Sequence, residues 1–269
     1  MFKLPLILLS ILLIGCGNVQ NIRTTDPTAE KAESGKLIFM TFNIRAAGGM
    51  QNPVSNPDLV EETKGSLTKI AATINSVDPD FIGLQEVRGI HQAKFIAEQL
   101  NLNYVYAVHA RENWWGQAVL SRYKIIDVRT KIINLGGKYG DRIALMATMD
   151  INGKKLRVIN VDFVPENYKG QVNETIPLLN PIEGPVVLLG DFSRRPEYAK
   201  MVNIREKMMA TCEAAKTAEG RCAGTGYGQV DYIFVDPNNF KVLAAGPISI
   251  EHGDVSGHKA YWATIKPKD

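Results

Sequence analysis

The sequence predicts an α/β fold in which two mostly antiparallel β-sheets pack face to face, with helices outside them as a four-layer sandwich. Strand and helix patterns alternate early in the domain, which is typical of βα units, and long strand-like runs follow with little helix between them. The pair Asn152-Gly153 between two of these runs is a strong signal for a two-residue hairpin. The 269 residues contain no internal repeat and no second core pattern, so we expect one domain.

Each element follows from the spacing of apolar residues. Helical spacing appears over residues 59–77, although Gly65 weakens the middle, and again over 92–100. Apolar or alternating runs predict strands at 37–44, 80–86, 104–108, 117–121, 125–133, 143–151, 155–164, 186–189, 232–235, 242–250 and 260–265.

The first residues predict export. Lys3 supplies a positive charge, residues 4–14 form an apolar run too short to cross a bilayer comfortably, and Leu13-Ile14-Gly15-Cys16 resembles the bacterial lipobox. That resemblance implies a lipoprotein signal peptide over 1–15, cleavage before Cys16 and lipidation of Cys16. The alternative is a plain secretory signal with an incidental cysteine. A lipidated protein would be membrane-anchored and would face the periplasm or the cell exterior.

The polar composition of the next residues predicts that 16–36 are the lipidated cysteine and a flexible tether, and that 37–269 are the folded domain. If Cys16 carries lipid, Cys212 and Cys222 remain, and export favours their pairing as a disulfide. No CxxC or HxxxH pair accompanies them, which disfavours a zinc site.

Overall composition sets wide bounds on function. The hydrophobic content of 45% is enough for one large core. A net charge of +3 neither requires nor excludes a polyanionic partner, and it argues mildly against a nuclease that relies on a broad cationic groove.

Polar side chains stand at the ends of several apolar runs. Asn43, Glu86 and Asp191 each follow such a run, and Asp231 precedes one. Considered alone, Asn43 is most simply a residue whose side chain hydrogen-bonds its own backbone. Glu86 alone is equally well explained as a salt-bridge partner or as a cation ligand. Together they are the oxygen-rich set that a hard cation such as Mg²⁺ (or Mn²⁺) prefers. His258 titrates near neutral pH and is a catalytic candidate if a carboxylate supports it.

These motifs, in this order, resemble the endonuclease/exonuclease/phosphatase superfamily, whose fold is the DNase I-like sandwich. The resemblance runs from about residue 37 to 266. The segments that carry it, besides the strand-end residues above, are Gly116-Gln117-Ala118-Val119-Leu120-Ser121-Arg122, Arg142-Ile143-Ala144-Leu145, Val158-Ile159-Asn160, Gly190-Asp191-Phe192-Ser193 and Ser256-Gly257-His258.

The resemblance implies a role for each site residue. Glu86 would be the principal Mg²⁺ ligand, and Asn43 would contact the metal or the phosphate. Asp191 would orient or deprotonate the attacking water. His258 would bond a phosphate oxygen, and Asp231 would hold its working tautomer. Two further residues, Asn160 and Ser193, are catalytic candidates by the same resemblance.

Three positions depart from the family pattern. The family's Asn-x-His ends here in Asp162, the asparagine of Gly-Asp-Phe-Asn is Ser193, and the aspartate of Ser-Asp-His is Gly257. An anion facing a phosphodiester repels it unless a metal lies between them, so Asp162 is predicted to replace the missing acid as a metal ligand. Asp254 is the alternative.

Basic and aromatic residues beside the motifs are candidates for substrate contact. Arg122, Arg142 and Arg194 are predicted to bind phosphate, against the alternative that they are solvated surface residues. The pair Trp114-Trp115 is either a substrate or membrane contact on a loop or part of the core.

Two functions remain open from the sequence. The first is a lipid-anchored, Mg²⁺-dependent phosphoester hydrolase, a monomer, acting on nucleic acid, a phospholipid head group or a small phosphoester. The second is a catalytically impaired relative that binds phosphate or a partner. The changes at Asp162, Ser193 and Gly257 favour the second, and the retained strand-end residues favour the first.

Overall fold

The computed structural model describes residues 19–23, 35–48, 60–111, 115–136, 138, 140–181, 184–195, 198–215, 230–248 and 255–268. Its strands are β1 Val19–Arg23, β2 Leu37–Asn43, β3 Phe81–Arg88, β4 Asn103–Val108, β5 Trp115–Ser121, β6 Lys124–Asn134, β7 Arg142–Ile151, β8 Lys154–Asp162, β9 Val186–Asp191, β10 Met209–Ala210, β11 Asp231–Val235, β12 Phe240–Pro247 and β13 Tyr261–Pro267. Its α-helices are α1 Val60–Asn75, α2 Ile90–Gln99, α3 Tyr168–Thr175, α4 Val202–Arg205 and α5 Thr211–Ala214.

The strands form two mixed sheets. Sheet A has the order β1-β4-β5-β3-β2-β13-β12, and sheet B has the order β10-β11-β9-β8-β7-β6. Strand β2 is parallel to β3, and β8 is parallel to β9, while the other pairs are antiparallel. The predicted fold class, two largely antiparallel sheets with outer helices, is confirmed.

Alternation along the strands explains the layers. In β2, Phe39 belongs to the cluster between the two sheets, whereas the next residue, Met40, belongs to the cluster between sheet A and helices α1 and α2. Phe81 and Ile82 of β3 divide in the same way. Because successive side chains point to opposite faces, an apolar run without alternation fits a sheet that is buried on both sides.

The predicted hairpin joins β7 to β8. Asn152 and Gly153 have φ of 53° and 84°, which are the positive values that a tight two-residue hairpin turn requires. The Gly153 amide donates to Asp150 Oδ1 at 2.6 Å. This hairpin lies at one end of the sandwich, and the carboxyl ends of β2, β3, β8 and β9 lie at the other.

The predicted tether over 16–36 is wrong in part. Residues Val19–Arg23 form β1, which pairs antiparallel with the edge of β4. An edge strand offers unpaired backbone groups, so a neighbouring segment joins it through main-chain hydrogen bonds without apolar periodicity, which is why composition did not reveal it. The signal peptide over 1–15 and Cys16 lie outside the described residues. None of the described helices has the length and hydropathy of a membrane span.

Candidate active site

The parallel strand pairs bring the predicted site residues to one end of the sandwich. In sheet A, Asn43 at the end of β2 lies opposite Gln85 of β3. In sheet B, Asp191 at the end of β9 lies between Asp162 of β8 and Asp231 of β11. The two sheets meet there, so residues that are far apart in sequence gather in one cluster.

Glu86 reaches this cluster through a β-bulge. Between Leu84 and Val87, two residues of β3 oppose one residue of β5, and Glu86 has φ of 51°. Bulges bend a strand and re-aim a side chain, and a left-handed non-glycine residue is a form of strain common at functional sites. Gln85 stays buried between the sheets, whereas Glu86 turns towards the strand ends.

Asn43 joins the acidic residues of the two sheets. Its buried side-chain amide donates to Glu86 Oε1 at 2.8 Å and to Asp191 Oδ2 at 3.0 Å. Burial raises the pKa of Glu86, and the charge of Asp162 adds to the rise. Burial likewise raises the pKa of Asp191 well above its ordinary value, followed by the charge of Asp231. Two carboxyls held this way, with raised pKa values, have a high affinity for a proton or a metal cation.

His258 is paired with Asp231 as the sequence predicts. The distance from His258 Nδ1 to Asp231 Oδ2 is 2.9 Å, and Asp191 Oδ2 lies 3.7 Å from the same nitrogen. Burial lowers the pKa of His258, but these carboxylates outweigh it and raise the pKa to about 10. The loop is fixed by Ser256, whose hydroxyl donates to the Asn43 carbonyl at 2.7 Å and accepts from the His258 amide at 3.1 Å. The imidazole is therefore a positioned cation at neutral pH.

Glu86, Asp191 and His258 form a group whose potential ligand atoms lie within 4.8 Å of one another, so this group can hold a metal ion. Since His258 Nδ1 is bonded to Asp231, the two carboxylates are the better ligands for a hard cation. Their oxygen chemistry and the cost of burying their charges fit a divalent cation. No second group of this kind occurs within the described parts of the chain.

Asp191 is oriented by the residues on either side of it. Gly190 has φ of 145°, and a Cβ there would lie 2.0 Å from the Val161 carbonyl oxygen, so glycine is required. Ser193 donates its backbone amide to Asp191 Oδ1 at 2.7 Å and its hydroxyl to the Phe163 carbonyl at 2.7 Å. Ser193 thus positions Asp191, a role that it performs without the longer asparagine of the family pattern.

Arg45 lies beside Gly257, the position where the family pattern has an aspartate. A Cβ on Gly257 would lie 2.9 Å from Arg45 Nη1, so the guanidinium is next to this backbone position. Arg45, Ala46 and Ala47 all have positive φ, of 45°, 55° and 56°, in a turn that the Gln92 side chain holds by donating to the Ala46 carbonyl at 2.7 Å. Burial keeps the pKa of Glu86 raised, and the charge of Arg45 is a lesser, opposing cause, which places a cation near this carboxyl. Arg45 was not among the predicted site residues, because no sequence motif indicates a left-handed turn at this position.

Asp162 faces basic side chains and lies outside the group that can hold a metal. Its Oδ2 is 3.4 Å from His109 Nε2 and 3.4 Å from Arg142 Nε. Burial raises the pKa of Asp162, but Arg142 and then His109 outweigh it, and the net pKa is lowered. Asp162 is an ion-pair partner here, and its predicted metal contact stays a prediction. His109 was also missed, and it supplies an imidazole beside the position where the family pattern has one.

These residues surround a cavity of about 400 Å³ next to the site. The residues that line it are Glu86, His109, Trp115, Lys138, Gly140, Arg142 and Asp162. Trp115 and Arg142 therefore lie at the site, and the predicted phosphate contact of Arg142 stays a prediction. The cavity is of the size that small ligands occupy, and it opens beside Glu86.

Two predicted site residues have other roles. Asn160 is buried between the sheets, where its amide donates to the Leu84 and Ala118 carbonyls at 2.9 and 3.0 Å and its oxygen accepts from Gln85 at 2.6 Å. Its predicted catalytic role is wrong, because every polar atom of the side chain is used to join the sheets. Arg122 also has another role, because it lies away from the site.

Arg122 follows the carboxyl end of β5, which is antiparallel to β3 and so ends away from the site. It pairs with Asp78 and with Asp80 Oδ1, the latter at 3.1 Å. Arg194, beside Ser193, donates to its carbonyl at 3.0 Å and lies 5.7 Å from the Tyr198 ring centre. The predicted phosphate contact of Arg194 stays a prediction.

Several predictions concern residues outside the described ranges, namely Cys16, Trp114, Cys222 and Asp254. Cys212 is disulfide-bonded. Its predicted pairing with Cys222 stays a prediction.

A two-sheet sandwich with acids, an amide and a supported histidine at its strand ends defines the class of phosphoester hydrolases. The chain belongs to the Endonuclease/Exonuclease/phosphatase family, whose sequence model matches residues 40–262. No curated protein matches the sequence.

Solved structures share the fold. The endonuclease/exonuclease/phosphatase from Bacteroides vulgatus is 19% identical, with a TM-score of 0.68 over 87% of this chain and 99% of that chain. The human Nocturnin catalytic domain with bound sulfate is 16% identical, with a TM-score of 0.67 over 92% and 97%. The Bacteroides thetaiotaomicron mannosyl-6-phosphatase is 16% identical, with a TM-score of 0.63 over 87% and 100%. At these identities the likeness concerns the fold.

Proposed function

We propose that this protein is a divalent-metal-dependent phosphoester hydrolase that uses Mg²⁺ (or Mn²⁺). The observation that carries the proposal is the continuous set of contacts from Glu86 through Asn43 and Asp191 to His258 and Asp231. It combines a cation site, a candidate base and a charged imidazole within one cluster. Family membership supports the same class of reaction.

In this proposal Glu86 would hold the metal, and Asn43 fixes the carboxylates of Glu86 and Asp191. When bound, the metal neutralises charge on the phosphoryl oxygens and on the leaving group. Asp191, held in place by the Asn43 side chain and the Ser193 amide, takes the proton of the attacking water as the general base. The water oxygen bonds to phosphorus, the ester P–O bond breaks, and the proton passes to the leaving oxygen or to solvent.

His258 and Arg45 bind the phosphoryl group in this proposal. His258 keeps Nδ1–H on Asp231 and presents Nε2–H to a phosphoryl oxygen, which stabilises the charge of the transition state. Arg45 brings a guanidinium next to the position where the family pattern has an acid, and in this proposal it binds the phosphoryl group beside the metal ion. Replacing Arg45 by glutamine is expected to weaken inhibition by inorganic phosphate while leaving the metal affinity within about twofold.

The protein is further proposed to be a monomeric exported lipoprotein, anchored through Cys16. The apolar N-terminal run and the lipobox-like segment support this. Mass spectrometry of the mature N-terminus tests it.

A substrate screen tests the hydrolase. A phosphodiester, a phosphomonoester, DNA and phospholipid vesicles are each incubated with the protein, with Mg²⁺, with Mn²⁺ and with chelator. Metal-dependent turnover that is lost in His258→Ala supports the proposal. Phosphate binding without turnover of any substrate would instead support the alternative, a phosphate-binding module. The departures from the family pattern at Asp162, Ser193 and Gly257 favour that alternative.

A further inference from the structure

Strand β1 enters the fold at the active-site end. Val19 lies opposite Ala107, near the carboxyl end of β4, and Arg23 lies opposite Tyr104, near its beginning. Strand β4 runs directly on to His109, which lines the cavity beside Glu86. Val19, the first of the described residues, therefore lies at the end of the domain that carries the catalytic cluster.

The distance from Cys16 to this end is short. Three residue steps separate Cys16 from Val19, and such a segment spans at most about 10 Å. Across sheet A, perpendicular to the strands, β4 and β5 lie between β1 and β3, so β1 is three strand spacings, or about 14 Å, from the strand that carries Glu86. A lipid on Cys16 would consequently lie close to the rim of the active site, and not at the end of a long tether.

The surface at this rim suits a membrane interface. Leu135, just after β6, is 63% exposed, the largest exposure among the large hydrophobic side chains of the described residues. Exposed cationic side chains lie near it, Lys138 on the same loop and Arg111 against Gly136. Arg111 pairs with the buried Asp141 at 2.6 Å, and Asp141 accepts from the Gly136 amide, which braces the loop. Because Asp141 neutralises Arg111, the exposed apolar side chain of Leu135 is the group at this rim that favours contact with a bilayer surface.

We propose that the substrate is a phosphoester carried on the membrane surface, a phospholipid head group, and that the lipid on Cys16 holds the catalytic cavity against the head groups. This rests on the proposed hydrolase activity and on the proposed lipidation. The cavity of about 400 Å³ between Trp115, Lys138 and Arg142 receives the head group next to Glu86. The hairpin at Asn152-Gly153, at the other end of the sandwich, points away from the bilayer.

An insertion experiment tests the geometry on the lipidated full-length protein. Ten Gly/Ser residues are inserted after Gly17, between the lipid and β1, or after Thr25, beyond β1. The protein is reconstituted in phosphatidylglycerol–phosphatidylethanolamine vesicles, and loss of lipid and head-group product are measured by mass spectrometry. The first insertion is expected to lower turnover of vesicle lipid roughly five- to tenfold, from the fall in effective concentration with linker length. The second is expected to leave turnover unchanged, and equal effects of both would overturn the proposal.

Matched substitutions at the two ends of β6 test the surface. Leu135→Asn at the rim is expected to reduce vesicle turnover severalfold, whereas Ile126→Asn, an exposed apolar residue at the other end, is expected to have no effect. Both variants are expected to hydrolyse a soluble diester, bis(p-nitrophenyl) phosphate, at the rate of the parent. Equal vesicle turnover by the two variants would contradict the assigned rim.

The outcomes separate this inference from the proposed function. Hydrolysis of the soluble diester without hydrolysis of vesicle lipid would overturn the membrane substrate and leave the hydrolase standing. Absence of lipid on Cys16 would also overturn it, whatever the activity. No turnover of either substrate would refute the hydrolase itself.

Discussion

Replacing Asp231 by asparagine tests how the structure keeps His258 charged. Burial alone would lower the pKa of His258, but the Asp231 carboxylate, at 2.9 Å from Nδ1, is the largest of the opposing causes, followed by Asp191 and Glu86. The result is a pKa of about 10, against an ordinary value of 6.5. Asparagine keeps the size of the side chain and removes its charge, so the variant isolates the electrostatic effect.

The size and sign of the effect follow from this pKa. A net rise from 6.5 to about 10 means that the folded protein favours the imidazolium by about 5 kcal/mol, after the cost of burial has been subtracted from its attraction to the carboxylates. Because the folded-state pKa is above the unfolded-state value, this stabilisation is fully present below pH 6.5 and is lost as the pH rises through about 10. Without Asp231 most of it disappears, and the pKa of His258 is expected to fall to near 6.5 or lower.

The assay is an NMR titration of the histidine ring protons in metal-free protein, with the exposed His91 of α2 as an internal reference. Parent His258 is expected to stay protonated from pH 6 to 9, and the Asp231→Asn variant to lose its proton near pH 6.5. An imidazole that is still charged at pH 8 in the variant would refute the reasoning, because another group would then be the source of the raised pKa.

Three further substitutions test other parts of the site. Glu86→Gln is expected to lower Mg²⁺ affinity, measured by calorimetry, at least about tenfold, because it removes a charged ligand. Arg142→Gln is expected to destabilise the protein by about 3 kcal/mol near neutral pH in urea unfolding, since it leaves Asp162 buried beside fewer cations. The pKa of Asp162 is lowered, so this loss is present above pH 3.8 and shrinks as the carboxyl protonates below it. Gly190→Ala is expected to cost about 3 kcal/mol through its clash with the Val161 carbonyl.

Controls make these predictions specific. Arg129→Gln removes an exposed pair with Asp127 and is expected to change stability by less than about 1 kcal/mol. A similar effect of Arg142→Gln would show that the buried pair contributes little. Unchanged metal affinity in Glu86→Gln would place the cation elsewhere, and a fully stable Gly190→Ala would show that β8 and β9 tolerate separation.

Much of the architecture is predictable because it depends on local patterns. Apolar alternation and the Asn152-Gly153 turn fixed β7 and β8, and an acid after an apolar run placed Asp191 at a strand end. The pairing of His258 with Asp231 also followed from the family pattern. These features need only the sequence period or a motif of a few residues.

The remaining features depend on contacts between distant segments. The bulge that directs Glu86 towards the site depends on the register between β3 and β5. Arg45 comes close to Gly257 only because of a left-handed turn that is far from Gly257 in the sequence. Asn160 belongs to a motif, yet its buried position gives it a structural role. Strand β1 has the polar composition of a tether, because main-chain pairing with an edge strand needs no apolar pattern.

The most direct test of the central claim is hydrolysis of bis(p-nitrophenyl) phosphate by chelator-treated protein before and after addition of Mg²⁺. The site described here predicts no turnover in chelator, full recovery with Mg²⁺, and loss of the recovery in Glu86→Gln. Turnover that persists in chelator, or that recovers equally in Glu86→Gln, would contradict the assignment of this cluster as a metal-dependent active site.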